Sequence, residues 1–167
     1  QLMIEDGGQT AELALTATKK LLSSKPNILM GYPVTAQVQA VGPLVQPTRI
    51  PMIHVAQNPA LSKTNMKQNN VYRMNVVADR QVRALVKYAV DTWKPKKVGI
   101  LNTSDTNSVF GGDEAEKGFK AAGAEVIRRQ VPFTSTDLTE AITAMKSAGV
   151  DITVSWGFPN IDSLFMK

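Results

Sequence analysis

Few residues in this 167-residue sequence combine the type and the spacing that catalysis or metal binding requires. The sequence has one histidine, His54, and no cysteine, which excludes thiol chemistry, disulfides and metal sites built from several histidines or cysteines. A Ser-His-Asp triad would have to include His54, and we interpret that residue as a hydrogen-bonded structural histidine at a strand end. We predict neither a cofactor nor a metal ion.

Two further pairs of residues are candidates for chemistry. Glu5-Asp6 follows an apolar segment and is similar to the acidic pair that binds a metal ion in phosphoacceptor domains, but we favour its interpretation as a solvated strand exit. Gly111-Gly112 opens a predicted helix and offers backbone N–H groups to an anion, but no Gly-Lys-Ser/Thr sequence follows. We therefore expect a binding protein rather than an enzyme.

A repeated pattern is the strongest functional signal in the sequence. A helix-like segment, a short turn, an apolar strand and a Gly-aromatic-Pro turn occur in that order twice, ending at Gly31-Tyr32-Pro33 and at Gly157-Phe158-Pro159. Two such units suggest two similar lobes. Because small ligands bind outside the carboxyl ends of the strands in open α/β sheets, the repeat predicts a ligand cleft.

The elements that must position these turns alternate between short apolar runs and segments of helical period, which is the pattern of βα units around a parallel sheet. We predict strands at 2–5, 27–30, 52–55, 98–102, 125–130 and 152–155, and helices at 10–23, 35–44, 79–93, 113–122 and 136–148. Most of the strands are too continuously apolar for a half-exposed sheet, so we expect helices on both faces of the sheet. Asp79 is the predicted N-cap of its helix, and Gly123 and Gly149 are predicted to end two others.

The predicted lobe boundary falls after residue 73, with residues 1–73 forming part of a first lobe and 74–167 part of a second. The stretch between Asn58 and Asn70 is polar and rich in turn-forming residues. Residues 71–74 are then predicted to be an extended segment that passes from one lobe to the next.

Composition and charge limit the classes of partner. The net charge is +5, but the basic residues are scattered without a Lys/Arg run, so nucleic acid is not an expected partner. No apolar run approaches the roughly 20 residues that a membrane span needs. A hydrophobic content of 43% predicts a soluble chain with a substantial core, and the absence of cysteine is compatible with any redox compartment.

Several motifs share their order and spacing with one known family. They are Leu2-Met3-Ile4-Glu5-Asp6, Ile50-Pro51-Met52-Ile53, Asn58-Pro59-Ala60-Leu61, Tyr72-Arg73, Lys96-Lys97-Val98-Gly99-Ile100-Leu101, Phe110-Gly111, Gly118-Phe119-Lys120-Ala121-Ala122-Gly123, Thr136-Asp137-Leu138 and Gly149-Val150-Asp151. Together they resemble the type I periplasmic binding proteins, specifically the branched-chain amino-acid (leucine/isoleucine/valine) solute-binding family of ABC importers. The resemblance covers essentially the whole sequence. It implies an α/β fold of two doubly wound parallel-sheet lobes, and we expect this chain to be an incomplete piece of it.

The resemblance also implies ligand-binding residues in the first lobe. In the family, a Ser/Thr after the Gly-x-Pro-like turn and backbone groups before the Asn-Pro pair hold the ligand carboxylate. The matching positions are Thr35, Ala36, Ala56 and Gln57. Thr35 has an alternative role as the N-cap of its own helix, and the two roles are compatible.

In the second lobe the resemblance implies two aromatic contacts, Phe110 and Phe158. Some relatives have tyrosine at these positions, so two hydroxyl groups that could meet an ammonium group are missing here. Ordinary core packing is the alternative role for each phenylalanine. His54 and Gln57 also stand where Ser and Thr are common. We expect a branched-chain or other hydrophobic amino acid as ligand, with an aromatic or aliphatic carboxylate as the alternative.

The function implied by the resemblance is capture without chemistry. A periplasmic or extracytoplasmic protein would bind its solute in the cleft between the lobes, and a membrane permease of an ABC transporter would recognise the closed form. Two alternatives remain open. One is the ligand-sensing domain of a receptor or regulator with the same fold. The other is an α/β enzyme or phosphoacceptor domain that uses Glu5, Asp6 and a nearby lysine.

Overall fold

The computed structural model describes residues 1–61 and 70–166. The chain divides into two compact units, unit 1 from Gln1 to Val77 and unit 2 from Ala78 onward. The boundary predicted from sequence, after residue 73, falls at the end of the last strand of unit 1. Most of the polar stretch predicted between Asn58 and Asn70 lies outside the described residues.

Unit 1 is built from βα elements around a small parallel sheet. Its elements are α1 (Ala11–Ser23), β1 (Leu29–Met30), α2 (Thr35–Val45), a short 3-10 helix (Gln46–Thr48), β2 (Met52–His54) and β3 (Val71–Arg73). The strands are parallel in the order β1-β2-β3. Because all three point the same way, the segments that follow them emerge at one edge of the sheet.

The core of unit 1 lies between its helices and the sheet. Helix α1 begins where the Thr10 hydroxyl accepts a hydrogen bond from the Leu13 N–H, as an N-cap residue does. The buried apolar side chains that α1, α2 and the three strands contribute form one cluster: Ala14, Leu29, Val41, Val45, Met52 and Val71. This burial holds α2, and therefore its N-terminal turn, against the sheet.

Unit 2 repeats the plan with longer strands. Its elements are α3 (Ala78–Trp93), β4 (Lys97–Thr103), α4 (Thr106–Ala121), β5 (Glu125–Val131), α5 (Thr139–Ala148), β6 (Ile152–Trp156) and α6 (Pro159–Phe165). The strands are again parallel, in the order β5-β4-β6, with β4 in the centre. Gly123 and Gly149 follow α4 and α5 with φ of 87° and 66°, which confirms both as helix-ending glycines.

The central strand of unit 2 is buried on both faces. Val98 and Ile100 of β4 belong to a core cluster with side chains of α3 and α4, whereas Leu101 belongs to a second cluster with side chains of α5 and α6. Successive side chains of a strand point to opposite faces, so the two clusters lie on opposite sides of the sheet. The predicted α/β architecture, with helices on both faces of a parallel sheet, is confirmed here.

Three local predictions are wrong. Residues 2–5 form no strand, and Leu2 and Ile4 are 83% and 80% exposed, because no described strand pairs with them. Asp79 does not cap α3: it lies in the first turn of that helix and binds Arg83. Helix α4 begins at Thr106 rather than at residue 113, because Asp105 caps it, so Gly111-Gly112 lies inside the helix.

Among residues 1–61 and 70–166, none of the helices has the length and apolar character that crossing a membrane requires.

Candidate functional site

The segments that follow β1 and β2 lie side by side at the carboxyl edge of the unit 1 sheet. The Val55 N–H donates to the Tyr32 carbonyl at 3.3 Å, so the two segments are joined by a backbone hydrogen bond. Side chains from both segments and from the first turn of α2 share a small apolar cluster, which contains Val38, Ala56, Leu61 and Tyr32. The start of α2 is thereby held next to the segment that carries Ala56 and Gln57.

Thr35 is the first residue of α2 and is only 2% exposed. Its hydroxyl oxygen has no hydrogen-bond partner among the described residues. The N-cap position is occupied by Val34, and no side chain caps this helix end, so the predicted capping role of Thr35 is wrong. A buried hydroxyl without a partner costs free energy that a bound hydrogen-bond acceptor would recover.

The helix end around Thr35 suits an anion. The first backbone N–H groups of a helix have no intrahelical acceptor, and the helix dipole places partial positive charge there. Ala36, the next residue, is exposed, and a ligand contact there stays a prediction. Together the uncapped first turn and the Thr35 hydroxyl form a set of donors that suits a carboxylate.

Ala56 and Gln57 lie on the neighbouring segment. Ala56 is fully buried in the cluster shared with α2. Gln57 is half-buried. Backbone contacts from Ala56 and Gln57 to a ligand stay predictions. Both residues lie beside the start of α2, which is where such contacts would be made.

Tyr32, the aromatic residue of the first Gly-aromatic-Pro turn, makes hydrogen bonds that stabilise unit 1. Its hydroxyl lies 2.7 Å from the Thr18 hydroxyl and donates to the Ala14 carbonyl at 3.1 Å, which ties the turn to α1. On α2, the buried Gln37 amide donates to the carbonyls of Gly7 and Gly8 at 3.1 and 2.9 Å. Sequence reasoning missed Gln37, which looks like an ordinary helical residue until its burial is known.

His54 and Arg73 are paired in register at the ends of β2 and β3. His54 is 2% exposed, and burial together with the Arg73 charge lowers its pKa to about 4, so the imidazole is neutral at pH 7. Its Nδ1 atom is buried and has no hydrogen-bond partner among the described residues. Arg73 donates to the Asn58 carbonyl at 3.2 Å and so supports the segment that follows Gln57.

Both residues of the acidic pair Glu5-Asp6 have partners within unit 1. Glu5 forms an ion pair with Lys20 at 2.9 Å, and Asp6 accepts a hydrogen bond from the Gly8 N–H at 2.8 Å. No group of three or more His, Cys, Asp or Glu residues that could hold a metal ion occurs among residues 1–61 and 70–166.

In unit 2, both predicted aromatic contacts are half-buried near the carboxyl ends of the strands. Phe110 lies in the second turn of α4, and Phe158 follows β6 as the N-cap residue of α6. The Phe158 ring packs against Phe133, with 5.7 Å between ring centroids. Neither Phe110 nor Phe158 belongs to the core clusters of the described residues, so a role as ligand contacts stays open for both.

The glycine pair inside α4 has a packing function. A Cβ atom on Gly112 would lie 2.6 Å from Nη2 of Arg128 and 2.8 Å from Oδ1 of Asn102, and one on Gly111 would lie 2.3 Å from the indole nitrogen of Trp156. Both glycines therefore let α4 lie close to side chains from the sheet. An anion site at these glycines, one reading of the sequence, has no support, because the pair lies in the middle of the helix.

Arg128 is the centre of a polar network under Gly112. Its guanidinium donates to the Asn102 side chain at 2.7 Å and to the Val109 carbonyl at 3.2 Å, and it pairs with Asp113 and Glu116. Hydrogen bonds from Lys120 and from Arg128 hold the pKa of Glu116 below its usual range. The network fastens α4 to β5, and these carboxylates already have cationic partners.

Comparison with known proteins agrees with this architecture. A family model described as periplasmic binding protein matches residues 1–167. No curated protein matches the sequence.

Three solved structures illustrate the likeness. A leucine binding protein from Thermotoga maritima has a TM-score of 0.87 and 19% identity, covering 99% of this chain and 47% of that one. A solute binding protein of an ABC transporter from Rhodopseudomonas palustris, in complex with 3,4-dihydroxybenzoic acid, has a TM-score of 0.87 and 18% identity, covering 99% and 46%. A branched-chain amino acid ABC transporter protein from Thermus thermophilus with bound valine has a TM-score of 0.83 and 18% identity, covering 100% and 44%. This chain thus spans less than half the length of each of the three, and the shared feature at these identities is the fold.

Proposed function

The chain belongs to the periplasmic binding protein family, and from that premise we propose that it captures a small solute for an ABC importer. The family and its fold are those of extracytoplasmic solute-binding proteins rather than enzymes. We propose that this protein is also extracytoplasmic and that its partner is the membrane permease of an ABC transporter. No covalent step is needed, because the ligand acts only through its different affinity for two conformations.

The observation that carries the proposal is the unpartnered Thr35 hydroxyl. It is buried at the uncapped start of α2, beside the backbone of Ala56 and Gln57. Buried polar groups almost always have a hydrogen-bond partner, so an exception at a helix N-terminus favours a missing acceptor. A solute carboxylate supplies two acceptor oxygens and a negative charge that the helix dipole stabilises.

The leading candidate solute is a branched-chain or other hydrophobic amino acid. Its carboxylate would bind at Thr35 and the neighbouring backbone groups of unit 1. Phe110 and Phe158 of unit 2 stay predicted apolar contacts for its side chain. Two structures with the same fold are described as a leucine binding protein and a protein with bound valine, and both support this class.

The second candidate solute is an aromatic or aliphatic carboxylate without an amino group. Phenylalanine at positions 110 and 158 favours it, because these side chains offer an ammonium group no hydroxyl acceptor. Structures with the same fold in complex with benzoate and with 4-hydroxybenzoate support the class.

Two measurements test the proposed function. Native mass spectrometry of the purified protein reports any small molecule carried through purification, next to the chain mass of 18.1 kDa. Calorimetric titration then compares four probes: L-leucine, L-valine, benzoate and 4-hydroxybenzoate. A probe at 100 times its Kd should also stabilise the protein by about 2.7 kcal/mol.

The matched control for the carboxylate is the amide. Benzamide has nearly the shape of benzoate but no negative charge, and leucinamide stands in the same relation to leucine. We expect neither amide to bind measurably where its acid does. If no acid binds and no solute is carried through purification, the proposed function is wrong.

A further inference from the structure

A cavity of about 830 Å³ lies beside strand β1 of unit 1. It is lined by residues 1–5, by Leu21 of α1 and by residues 24–30, which lead from α1 into β1. None of the residues to which we assign solute contacts lines it. The cavity is therefore separate from the candidate solute site.

Strand β1 has an open edge on the side of this cavity. Among the described strands it pairs only with β2, and no residue of β2 lines the cavity. The N–H groups of Leu29 and Gly31 donate at 2.8 and 3.0 Å to carbonyls of β2 and of the residue before it. Because backbone groups alternate between the two sides of a strand, those of Ile28 and Met30 point to the open side. Such an edge offers donors and acceptors to another strand.

Large apolar side chains are exposed on both parts of the cavity lining. Residues 2–5 have the composition of a strand but no described strand to pair with, and Leu2 and Ile4 are exposed. In and beside β1, Met30 is 72% and Ile28 48% exposed. Single exposed apolar residues are ordinary, but a group of them around one cavity indicates a surface that another element covers.

The size of the cavity corresponds to one extended segment. A strand of five residues is about 17 Å long. At the packing density of protein interiors it occupies roughly 700 Å³. A cavity of about 830 Å³ therefore has room for one such strand but not for two. A strand placed there would have β1 on one side and residues 2–5 on the other, so both could pair with it.

We propose that the occupant is residues 1–5 of a second copy of this chain, exchanged between two copies about a twofold axis. Each copy has one such cavity and one such segment, so two copies complete each other. The strand order across the joined sheet is β1 of one copy, residues 1–5 of the second copy, residues 1–5 of the first copy, and β1 of the second copy. This contact is isologous and closes on itself.

The exposed apolar surface is sufficient for a dimer of this kind. Leu2, Ile4, Ile28 and Met30 together expose roughly 500 Å² per copy, so the exchange removes about 1,000 Å² from water, which is the area that a specific interface needs. Backbone hydrogen bonds add to this, because three new strand pairs form. Addition of a strand to an open sheet edge is a common mode of recognition between chains.

Sedimentation velocity and native mass spectrometry of the 167-residue chain test the proposal. We expect a species of twice 18.1 kDa, with a fraction that rises with protein concentration between about 1 and 100 μM. Lysine on an edge strand is a device by which proteins prevent pairing. Ile4→Lys and Met30→Lys should therefore each raise the Kd of the dimer roughly tenfold or more.

Met74→Lys is the matched control. Met74 is 66% exposed, in the same unit, and follows β3 at the other edge of the sheet. It does not line the cavity. Its replacement introduces the same charge at a similarly exposed methionine and should leave the Kd of the dimer unchanged.

Cross-linking tests the strand order, because the sequence has no cysteine of its own. An equimolar mixture of the Ile4→Cys and Met30→Cys variants is treated with a short bismaleimide. In the exchanged sheet, position 4 of one copy lies on the strand next to position 30 of the other, whereas the two positions 30 are three strand spacings apart, about 14 Å. Links between the two variants should therefore exceed links between two copies of Met30→Cys.

Three outcomes would overturn the proposal. The first is a chain that stays monomeric at about 100 μM. The second is a dimer that Met74→Lys disrupts and Met30→Lys does not, because the contact would then use the other edge of the sheet. The third is a monomer that carries a bound peptide or lipid in the native mass spectrum. These assays contain no added solute, so each result leaves the proposed function to its own test.

Discussion

Replacing Thr35 by valine should weaken solute binding without destabilising the free protein. Valine keeps the shape of threonine but replaces the hydroxyl by a methyl group. In the free protein this hydroxyl is buried and has no partner among the described residues, so its removal breaks no hydrogen bond there. Most single substitutions lower stability. A variant that loses affinity but keeps its stability would therefore identify the Thr35 hydroxyl as a ligand contact.

The magnitudes follow from the hydrogen-bonding state of the hydroxyl. Leaving a buried acceptor unpaired costs about 1–3 kcal/mol, so the variant should bind a carboxylate solute roughly 5- to 150-fold more weakly. By the same reasoning, the free energy of unfolding should stay unchanged or rise, because the variant no longer buries an unpaired hydroxyl.

Thr18 provides the matched control, because it is a second buried threonine in the same unit. Its hydroxyl lies 2.7 Å from both the Ala14 carbonyl and the Tyr32 hydroxyl. Thr18→Val should therefore lower the free energy of unfolding by about 1 kcal/mol for each hydrogen bond lost and leave affinity close to that of the unmodified protein.

The assay is calorimetric titration with benzoate and L-leucine, combined with urea denaturation of each variant. The reasoning would be refuted if Thr35→Val bound both probes as tightly as the unmodified protein while losing as much stability as Thr18→Val. That result would mean that the Thr35 hydroxyl serves the fold rather than the ligand.

Three further predictions concern other parts of the chain. Phe158→Ala should weaken solute binding far more than it lowers the melting temperature, whereas Phe133→Ala, which removes the packed partner ring, should show the opposite pattern in calorimetry and thermal denaturation. Because the pKa of His54 is lowered from 6.5 to about 4, the folded state disfavours its protonation, and acidification from pH 6.5 should progressively remove stability, by roughly 3 kcal/mol at pH 4. In the His54→Asn variant, the free energy of unfolding measured by urea denaturation should not show this loss between pH 6.5 and pH 4. Gly112→Ala places a Cβ atom 2.6 Å from the Arg128 guanidinium, so it should cost about 1–3 kcal/mol, and an unchanged melting temperature would contradict that packing argument.

The alternation of apolar and helical segments was sufficient to predict the architecture. Helix α1 and strand β4 are close to their predicted bounds, because hydrophobic period, capping residues and helix-ending glycines are local signals that lie within a few residues of each other. The same local signals misled at Gly111-Gly112, where the pair looked like a helix start. Asp105 had already begun that helix, and the glycines serve its packing.

The strand predicted at residues 2–5 failed for a different reason. Its apolar residues satisfy the propensity of a strand, but a strand exists only where another strand accepts its hydrogen bonds. None of the described strands pairs with it, and Leu2 and Ile4 are exposed. The strand propensity of residues 2–5 can be read from the segment itself, whereas strand pairing depends on which other strands lie beside it in the folded chain.

The sequence by itself determined that this is an α/β protein of the periplasmic binding type, and it indicated Thr35, Ala36, Ala56, Gln57, Phe110 and Phe158 as candidate contacts. The tertiary structure decided which polar groups are left without partners. Thr35 changed from a possible helix cap to a buried, unpaired hydroxyl, and Trp156 emerged as a ring held against Gly111. The physical reason is that burial and hydrogen-bond satisfaction depend on residues that are distant in the sequence and meet only when the chain has folded.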